Sequence, residues 1–283
     1  MSKSRELFIR VRTAIVFGAV MLGCIYYNVY SYLVLMAFIM LASIYEFQNV
    51  LKPTQTKNKV SFLYKPLSYL IALLFFGATY SLAAKTGFID AKLLLIFPAL
   101  LFLFFVIELF AHSKAPFLNV AINILGVVYL CLPFSLLHFV SIREDGYQCK
   151  IVFAILFLIW TNDSFAYFAG VTMGKHKMLP RISPGKTWEG IAGGIVGAMV
   201  AAIIMHYTFE LHFLRLADWI WLSIIISMAS TLGDLAESML KRSLHIKDSG
   251  KLLPGHGGVL DRFDAFYFAV PFAALYLVLA GKI

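Results

Sequence analysis

SMLKRSLHIKDSGKLLPGHGGVLDRFD, residues Ser238–Asp264, is a polar break between two strongly apolar runs near 217–237 and 263–281. Each flanking run has the length that crosses a bilayer. The break holds five basic side chains (Lys241, Arg242, Lys247, Lys251, Arg262), three aspartates (Asp248, Asp261, Asp264) and the turn Pro254-Gly255-His256-Gly257-Gly258. A solvated loop needs charge, but it does not need both signs packed around a glycine-rich turn. Cations on a flexible backbone suit phosphate oxygens, and carboxylates beside them suit a hard metal ion.

Working outward, apolar runs of spanning length recur along the chain. With 61% hydrophobic and 14% charged residues and a mean hydropathy of +0.83, a soluble class is excluded. The expected fold class is all-α: a polytopic integral membrane protein of about nine transmembrane helices. They fall near 11–28, 30–51, 66–84, 93–111, 117–142, 150–171, 189–209, 217–237 and 263–281. With the N-terminus cytoplasmic, 18 of the 24 Lys and Arg residues fall in cytoplasmic loops and 6 on the other side. That bias follows the positive-inside rule and puts Ser238–Asp264 in the cytoplasm. Lys3, Arg5, Arg10 and Arg12 before an apolar run resemble the start of a signal peptide, and Met21-Leu22-Gly23-Cys24 a lipoprotein box. No small-residue cleavage pattern follows, so a retained first helix is expected. The three cysteines, Cys24, Cys131 and Cys149, have neither disulfide nor metal spacing. The net charge of +9 resides in short loops, where it faces anionic head groups or nucleotides rather than nucleic acid. A single membrane domain over 1–283 is expected, with packing and lipid-facing spans over 1–148 and the catalytic helices and loops over 149–283. Glu46 and Glu108 lie near cytoplasmic span ends, where a carboxylate is expected to snorkel.

From residue 160 the character changes. Trp160-Thr161-Asn162-Asp163-Ser164 puts a carboxylate inside an apolar run, at a cost of roughly 2.5–3.5 kcal/mol on insertion scales. Such a group faces a partner, a metal or a watery cavity, a buried ion pair being the structural alternative. Gly185-Lys186-Thr187 suggests a phosphate loop, but Pro180 stands where that motif requires glycine, and no strand-to-helix context is expected. A lysine at a helix entrance still favours an anion. Gly190, Gly193, Gly194 and Gly197 predict close helix packing or dimerisation. Asp234, Ser238 and Lys241 share a helix face, as do Asp261 and Asp264. Four aspartates, Asp163, Asp234, Asp261 and Asp264, thus fall at or inside cytoplasmic helix ends. Oxygen ligands without cysteine or paired histidines favour Mg²⁺ over zinc, and His245 and His256 lack zinc-site spacing. Cations beside metal-binding carboxylates fit phosphoryl or nucleotidyl transfer, and the membrane setting suggests a lipid substrate.

Ser238, Lys241, Arg242, Lys247, Asp248, Gly250, Pro254, His256, Gly257, Gly258, Asp261, Arg262 and Asp264 together match a signature pattern. With it go the block from Asp163 through Gly174-Lys175-His176-Lys177 to Ser183–Gly190, and the Gly233–Ser238 segment GDLAES. Over roughly the C-terminal 120 residues the chain resembles the phosphatidate cytidylyltransferase (CDP-diacylglycerol synthase) family. One departure is Ala265, where the family often has serine after the last aspartate. The resemblance implies that CTP and phosphatidic acid give CDP-diacylglycerol and pyrophosphate, with Mg²⁺ and room for a second cation. It implies catalytic roles for Asp234, Lys241, Arg242, Lys247, Asp248, His256, Asp261, Arg262 and Asp264, with Asp234, Asp261 and Asp264 on the metal. Asp163, Ser183, Lys186, Thr187, Glu189, Ser238, Gly257 and Gly258 would bind substrate, the last two through backbone N–H groups. Expected partners are the two substrates and membrane lipids, with a possible homodimer and no nucleic acid. The expected place is the cell (inner) membrane, with the active site on the cytoplasmic side. Rivals are a CTP-dependent enzyme on another lipid, such as an isoprenoid-ether lipid phosphate or a polyprenol, and a transporter using Asp163.

Overall fold

The computed structural model describes residues 3–52, 61–87, 91–250, 252 and 257–283. In chain order the elements are α1 (Lys3–Tyr27), α2 (Val29–Leu51), α3 (Tyr64–Ala83), α4 (Ile96–Leu101), α5 (Leu103–Ala111), α6 (Pro116–Ser141), β1 (Ile142–Arg143), β2 (Gly146–Tyr147), α7 (Cys149–Met173), β3 (Lys177–Leu179), β4 (Ser183–Thr187), α8 (Trp188–Phe209), α9 (Leu216–Ser243) and α10 (Leu260–Leu279). Among the described residues seven helices are long and apolar enough to cross a membrane: α2, α3, α6, α7, α8, α9 and α10. The two other expected spans appear as shorter apolar helices, Val11–Tyr27 and Ile96–Ala111. The second of these opens with a 3-10 segment, Ala91–Leu95, and is interrupted at Phe102. Pro98 lacks the N–H that would bond back to the Leu94 carbonyl, which fits the irregular opening at Ala91–Leu95.

Two compact units emerge, Met1–Gly146 with Asp248–Arg262, and Tyr147–Lys247 with Phe263–Ile283. In the first, Asn28 separates α1 from α2 by capping. Its Oδ1 accepts the Ser31 N–H at 2.8 Å while the Ser31 hydroxyl accepts the Asn28 N–H at 3.2 Å. One face of α2 (Leu35, Met36, Ile39, Met40, Phe47) is buried. Phe47 lies where a Cβ on Gly126 of α6 would stand 2.9 Å from its ring, so glycine admits the contact.

The same unit corrects the expectation for both early glutamates: each is buried, Glu46 at 2% exposure and Glu108 at 6%. Burial inside helices of this polarity demands hydrogen-bond partners, and they are present. Glu108 accepts from the Tyr64 hydroxyl, the Ser113 hydroxyl and, at 2.8 Å, from Asn119 Nδ2. The network continues from Asn123 Nδ2 to the Asn119 carbonyl at 2.8 Å, and from Gln48 Nε2 to Asn123 Oδ1 at 2.9 Å and Ser68 Oγ at 2.7 Å. It ties α2, α3, α5 and α6 together by directed bonds, which hold helices in register where lipid removes the usual hydrophobic drive.

In the second unit α8 packs on α7 and α9. The glycine face of α8 is filled by α7. A Cβ on Gly190 would stand 2.9 Å from the Ala166 carbonyl, one on Gly194 2.6 Å from Asn162 Oδ1, one on Gly193 would strike the Ala169 methyl, and one on Gly197 the Phe165 ring. The stripe therefore serves packing within the chain and gives no argument for a second copy. Gly197→Leu is expected to cost about 1–3 kcal/mol through overpacking against Phe165, read as a lowered thermal midpoint in detergent. An unchanged midpoint would refute the close approach. At the other end of α9, Asp218 accepts the Arg215 N–H at 2.7 Å and the Tyr276 hydroxyl at 2.9 Å, and pairs with Lys282 at 2.8 Å. This caps α9 and pins α10 to it.

Candidate active site

The last turns of α9 build one wall of the site. Asp234, Glu237 and Lys241 recur at i, i+3 and i+7, so they share a helical face. Gly233 lets α10 approach: a Cβ there would stand 2.5 Å from the Asp264 carbonyl oxygen. That approach brings Asp264 of α10 to Asp234 and Glu237, and each of the three carboxylates offers an oxygen within 4.8 Å of the others. Lysines flank them on both sides. Lys186 Nζ lies 2.6 Å from Asp234 Oδ2, and Lys241 Nζ lies 2.5 Å from Glu237 Oε2. The Ser238 hydroxyl donates to Asp234 Oδ1 at 3.3 Å. Asp163 of α7 sits within electrostatic reach of Lys186 and Asp234, and Asp264 within reach of Asp163, Asp234 and Lys241. Four carboxylates thus share two lysines among these groups, so their mutual repulsion is only partly offset. Three acidic oxygens at this spacing match what a hard cation takes at about 2.0–2.6 Å. The donor set fits Mg²⁺ and offers nothing that selects zinc.

Lys186 is presented by a small hairpin. β3 and β4 pair antiparallel with Lys177 opposite Thr187 and Leu179 opposite Ser183. Thr187 ends it as the N-cap of α8, its hydroxyl accepting the Gly190 N–H at 3.1 Å. Glu189 accepts the backbone N–H groups of Lys175 (3.1 Å) and His176 (3.2 Å) and contacts His176 Nδ1 at 2.5 Å. The Trp188 N–H closes on the His176 carbonyl at 3.0 Å. Thr187 and Glu189 therefore fix the hairpin to α8, while the Lys186 side chain is left to meet Asp234 and, at 3.5 Å, the Thr231 carbonyl. Ser183 is half-buried at the hairpin's turn. Arg242, exposed, donates from Nε to the Ile182 carbonyl at 3.4 Å. Lys247, four residues past the end of α9, is exposed.

The remaining signature residues belong to the first unit. Asp261 Oδ2 accepts the N–H groups of Ser249 and Gly258, each at 2.9 Å. Its carboxylate shapes the loop that leads into α10, and so does the Gly258 N–H. Gly257 has φ of +85°, a left-handed conformation that favours glycine. Asp248 and Arg262 are exposed, and His256 lies outside the described residues. The sequence reading missed Glu237, which is 2% exposed. Its signal was its place three residues beyond Asp234 on the same face.

Comparison with known proteins bears on this geometry. The cytidylyltransferase family matches over residues 8–280. A phosphatidate cytidylyltransferase of Bacillus subtilis (strain 168) is 46% identical over 160 residues, 55% of this chain and 56% of that protein. Proteins of the same name from Staphylococcus epidermidis and Staphylococcus haemolyticus are 40% and 39% identical over 170 residues, 59% of this chain and 63% of each. The matched stretches span less than two thirds of these relatives. The family match, in contrast, runs through the first unit as well as the second, across the buried glutamates, the hairpin and the carboxylate cluster alike, and on that breadth the chain belongs to the cytidylyltransferase family.

Proposed function

We propose that this chain transfers CMP from CTP to phosphatidic acid, releasing pyrophosphate and forming CDP-diacylglycerol at the cytoplasmic face of the cell (inner) membrane. The carboxylate set of Asp234, Glu237 and Asp264 on two helices of membrane-spanning character, flanked by Lys241 of the same α9 and by Lys186 of the hairpin, carries this assignment. The names of the relatives support the choice of substrates, and the distribution of basic residues supports the choice of face.

In the reaction a phosphate oxygen of the lipid attacks the α-phosphorus of CTP. The bond from that phosphorus to the bridging oxygen breaks, and its electron pair leaves with pyrophosphate. The attacking oxygen is already anionic, so no strong general base is needed, and positioning and charge neutralisation make up most of the task. Lys186 and Lys241 trade carboxylate partners for phosphate oxygens as the substrates enter. A divalent cation such as Mg²⁺, held by Asp234, Glu237 and Asp264, would supply further neutralisation of triphosphate charge. Asp163 orients Lys186 electrostatically. Ser238 holds Asp234 by its hydroxyl, and Arg242, held against the hairpin, adds positive charge to the approach.

Incubating the full chain in lipid nanodiscs with labelled CTP, Mg²⁺ and phosphatidic acid is expected to yield CDP-diacylglycerol and pyrophosphate in equal amounts. CDP with a newly phosphorylated lipid would replace the assignment with a kinase, and unconsumed CTP would overturn it outright.

A further inference from the structure

Glu46 lies on α2, in the half of the chain that carries none of the signature motifs, yet it is buried against the signature loop of its own unit. Its Oε2 accepts the N–H of Leu260, the first residue of α10, at 2.9 Å across 214 positions of sequence. The first N–H groups of a helix lack partners inside it and carry its positive dipole end, so a buried carboxylate there is held strongly. Two glycines of the signature make room for it. A Cβ on Gly250 or on Gly258 would collide with the Glu46 carboxyl group. Asp261 completes the arrangement by accepting the Ser249 and Gly258 N–H groups. Between them the Glu46 and Asp261 carboxyl groups collect the Ser249 and Gly258 N–H groups of the loop and the Leu260 N–H of the first turn of α10.

We propose that Glu46 is a positioning residue for the transfer site: it fixes the loop around Gly250 and Gly258 and the start of α10, the helix whose next turn carries Asp264. This rests on the proposed cytidylyl transfer. Glu46 touches no substrate in this scheme. It sets where the first turn of α10 begins, and a buried carboxylate does so where a glutamine would present an amide N–H to a set of N–H donors. Glycine at 250 and 258 is then a steric consequence of Glu46, not a device for admitting phosphate.

The test compares wild type, Glu46→Gln and, as a control from the same unit, Glu108→Gln, all as full chains in nanodiscs. Hydrogen exchange at the amides of Ser249, Gly258 and Leu260 reads the loop, steady-state kinetics reads the reaction, and the thermal midpoint reads global stability. Glu46→Gln is expected to speed exchange at those three amides and to lower kcat about 10–100-fold, the scale on which a small misplacement of a reacting group slows a positioned reaction, with KM for CTP little changed. Glu108→Gln is expected to lower the thermal midpoint while kcat per folded molecule and the three amides stay as in wild type. A Glu46→Gln protein with wild-type kcat or unchanged exchange overturns the proposal, as does equal loss of kcat in the Glu108 control. If Glu46→Gln fails to fold, Glu46→Asp, one methylene short of Leu260, is read by the same measurements with the same outcomes. If wild type itself forms no CDP-lipid, the proposed reaction falls, while exchange at the three amides still decides whether Glu46 holds the loop.

Discussion

Asp264→Asn is expected to reduce turnover of CTP and phosphatidic acid by about 10²–10³-fold, the scale on which one electrostatic stabiliser of a transition state acts. The variant keeps the shape of the side chain. It also keeps the oxygen that accepts the Ala265 N–H at 2.7 Å, so the fold is expected to survive. What it removes is one negative charge from the set with Asp234 and Glu237. Raising Mg²⁺ should recover part of the loss, since a weakened ligand set is filled at higher cation concentration. Asp234→Asn should behave alike, with an added effect from releasing Lys186, now 2.6 Å from that carboxylate. Asp261→Asn makes the informative contrast. Its carboxylate is engaged by the Ser249 and Gly258 N–H groups, so its loss should disturb the loop without shifting the Mg²⁺ optimum. Near-normal turnover of Asp264→Asn across a Mg²⁺ titration, or a shifted optimum for Asp261→Asn alone, would remove Asp264 from the cation set.

Glu108→Ala is expected to destabilise the protein by about 3–5 kcal/mol, the largest stability effect anticipated in the chain. The Tyr64 hydroxyl, the Ser113 hydroxyl and the Asn119 amide all donate to this one carboxyl group. Each donor stranded in an apolar interior costs about 1–3 kcal/mol, and neighbouring losses do not add in full. Chemical denaturation in mild detergent should show the fall, with activity per folded molecule unchanged. A midpoint equal to wild type would mean that the network from Glu108 to Gln48 does not hold α2, α3, α5 and α6 together.

The membrane class was legible in the sequence because apolar length alone specifies a spanning helix, and the polar break at Ser238–Asp264 stood out against it. The carboxylates Asp234 and Asp264 and the lysines Lys186 and Lys241 were legible because charge near the end of an apolar helix is costly without a purpose. Other features were not, each for a definable reason. Glu46 and Glu108 resembled snorkelling side chains, since their donors come from Leu260, Asn119 and Tyr64, distances in sequence that no local pattern reports. Thr187 and Glu189 sit in a motif that suggested substrate contact, and the capping and hairpin-closing bonds they make were not legible beside it, since both call for the same residue types. Glu237 was hidden among helix-favouring neighbours and became visible only when Asp264 arrived beside it. The break at Phe102 had no glycine to announce it.

The hairpin that carries Lys186 has a mechanical consequence. Thr187, Glu189 and the Trp188 N–H bind it to the first turn of α8 at three separate points, so a tilt of α8 is expected to carry the hairpin with it. α8 is 22 residues long, about 33 Å at the usual rise. Tilting such a rod by about 5° about its middle swings the tip by about 1.4 Å, more than the roughly 1 Å misplacement that can slow a positioned reaction 10²-fold. Helices in bilayers adjust their tilt to the thickness of the hydrocarbon. The hairpin is in effect a pointer on a lever whose fulcrum lies in the bilayer, and the gap between Lys186 and Asp234 is the scale it reads against.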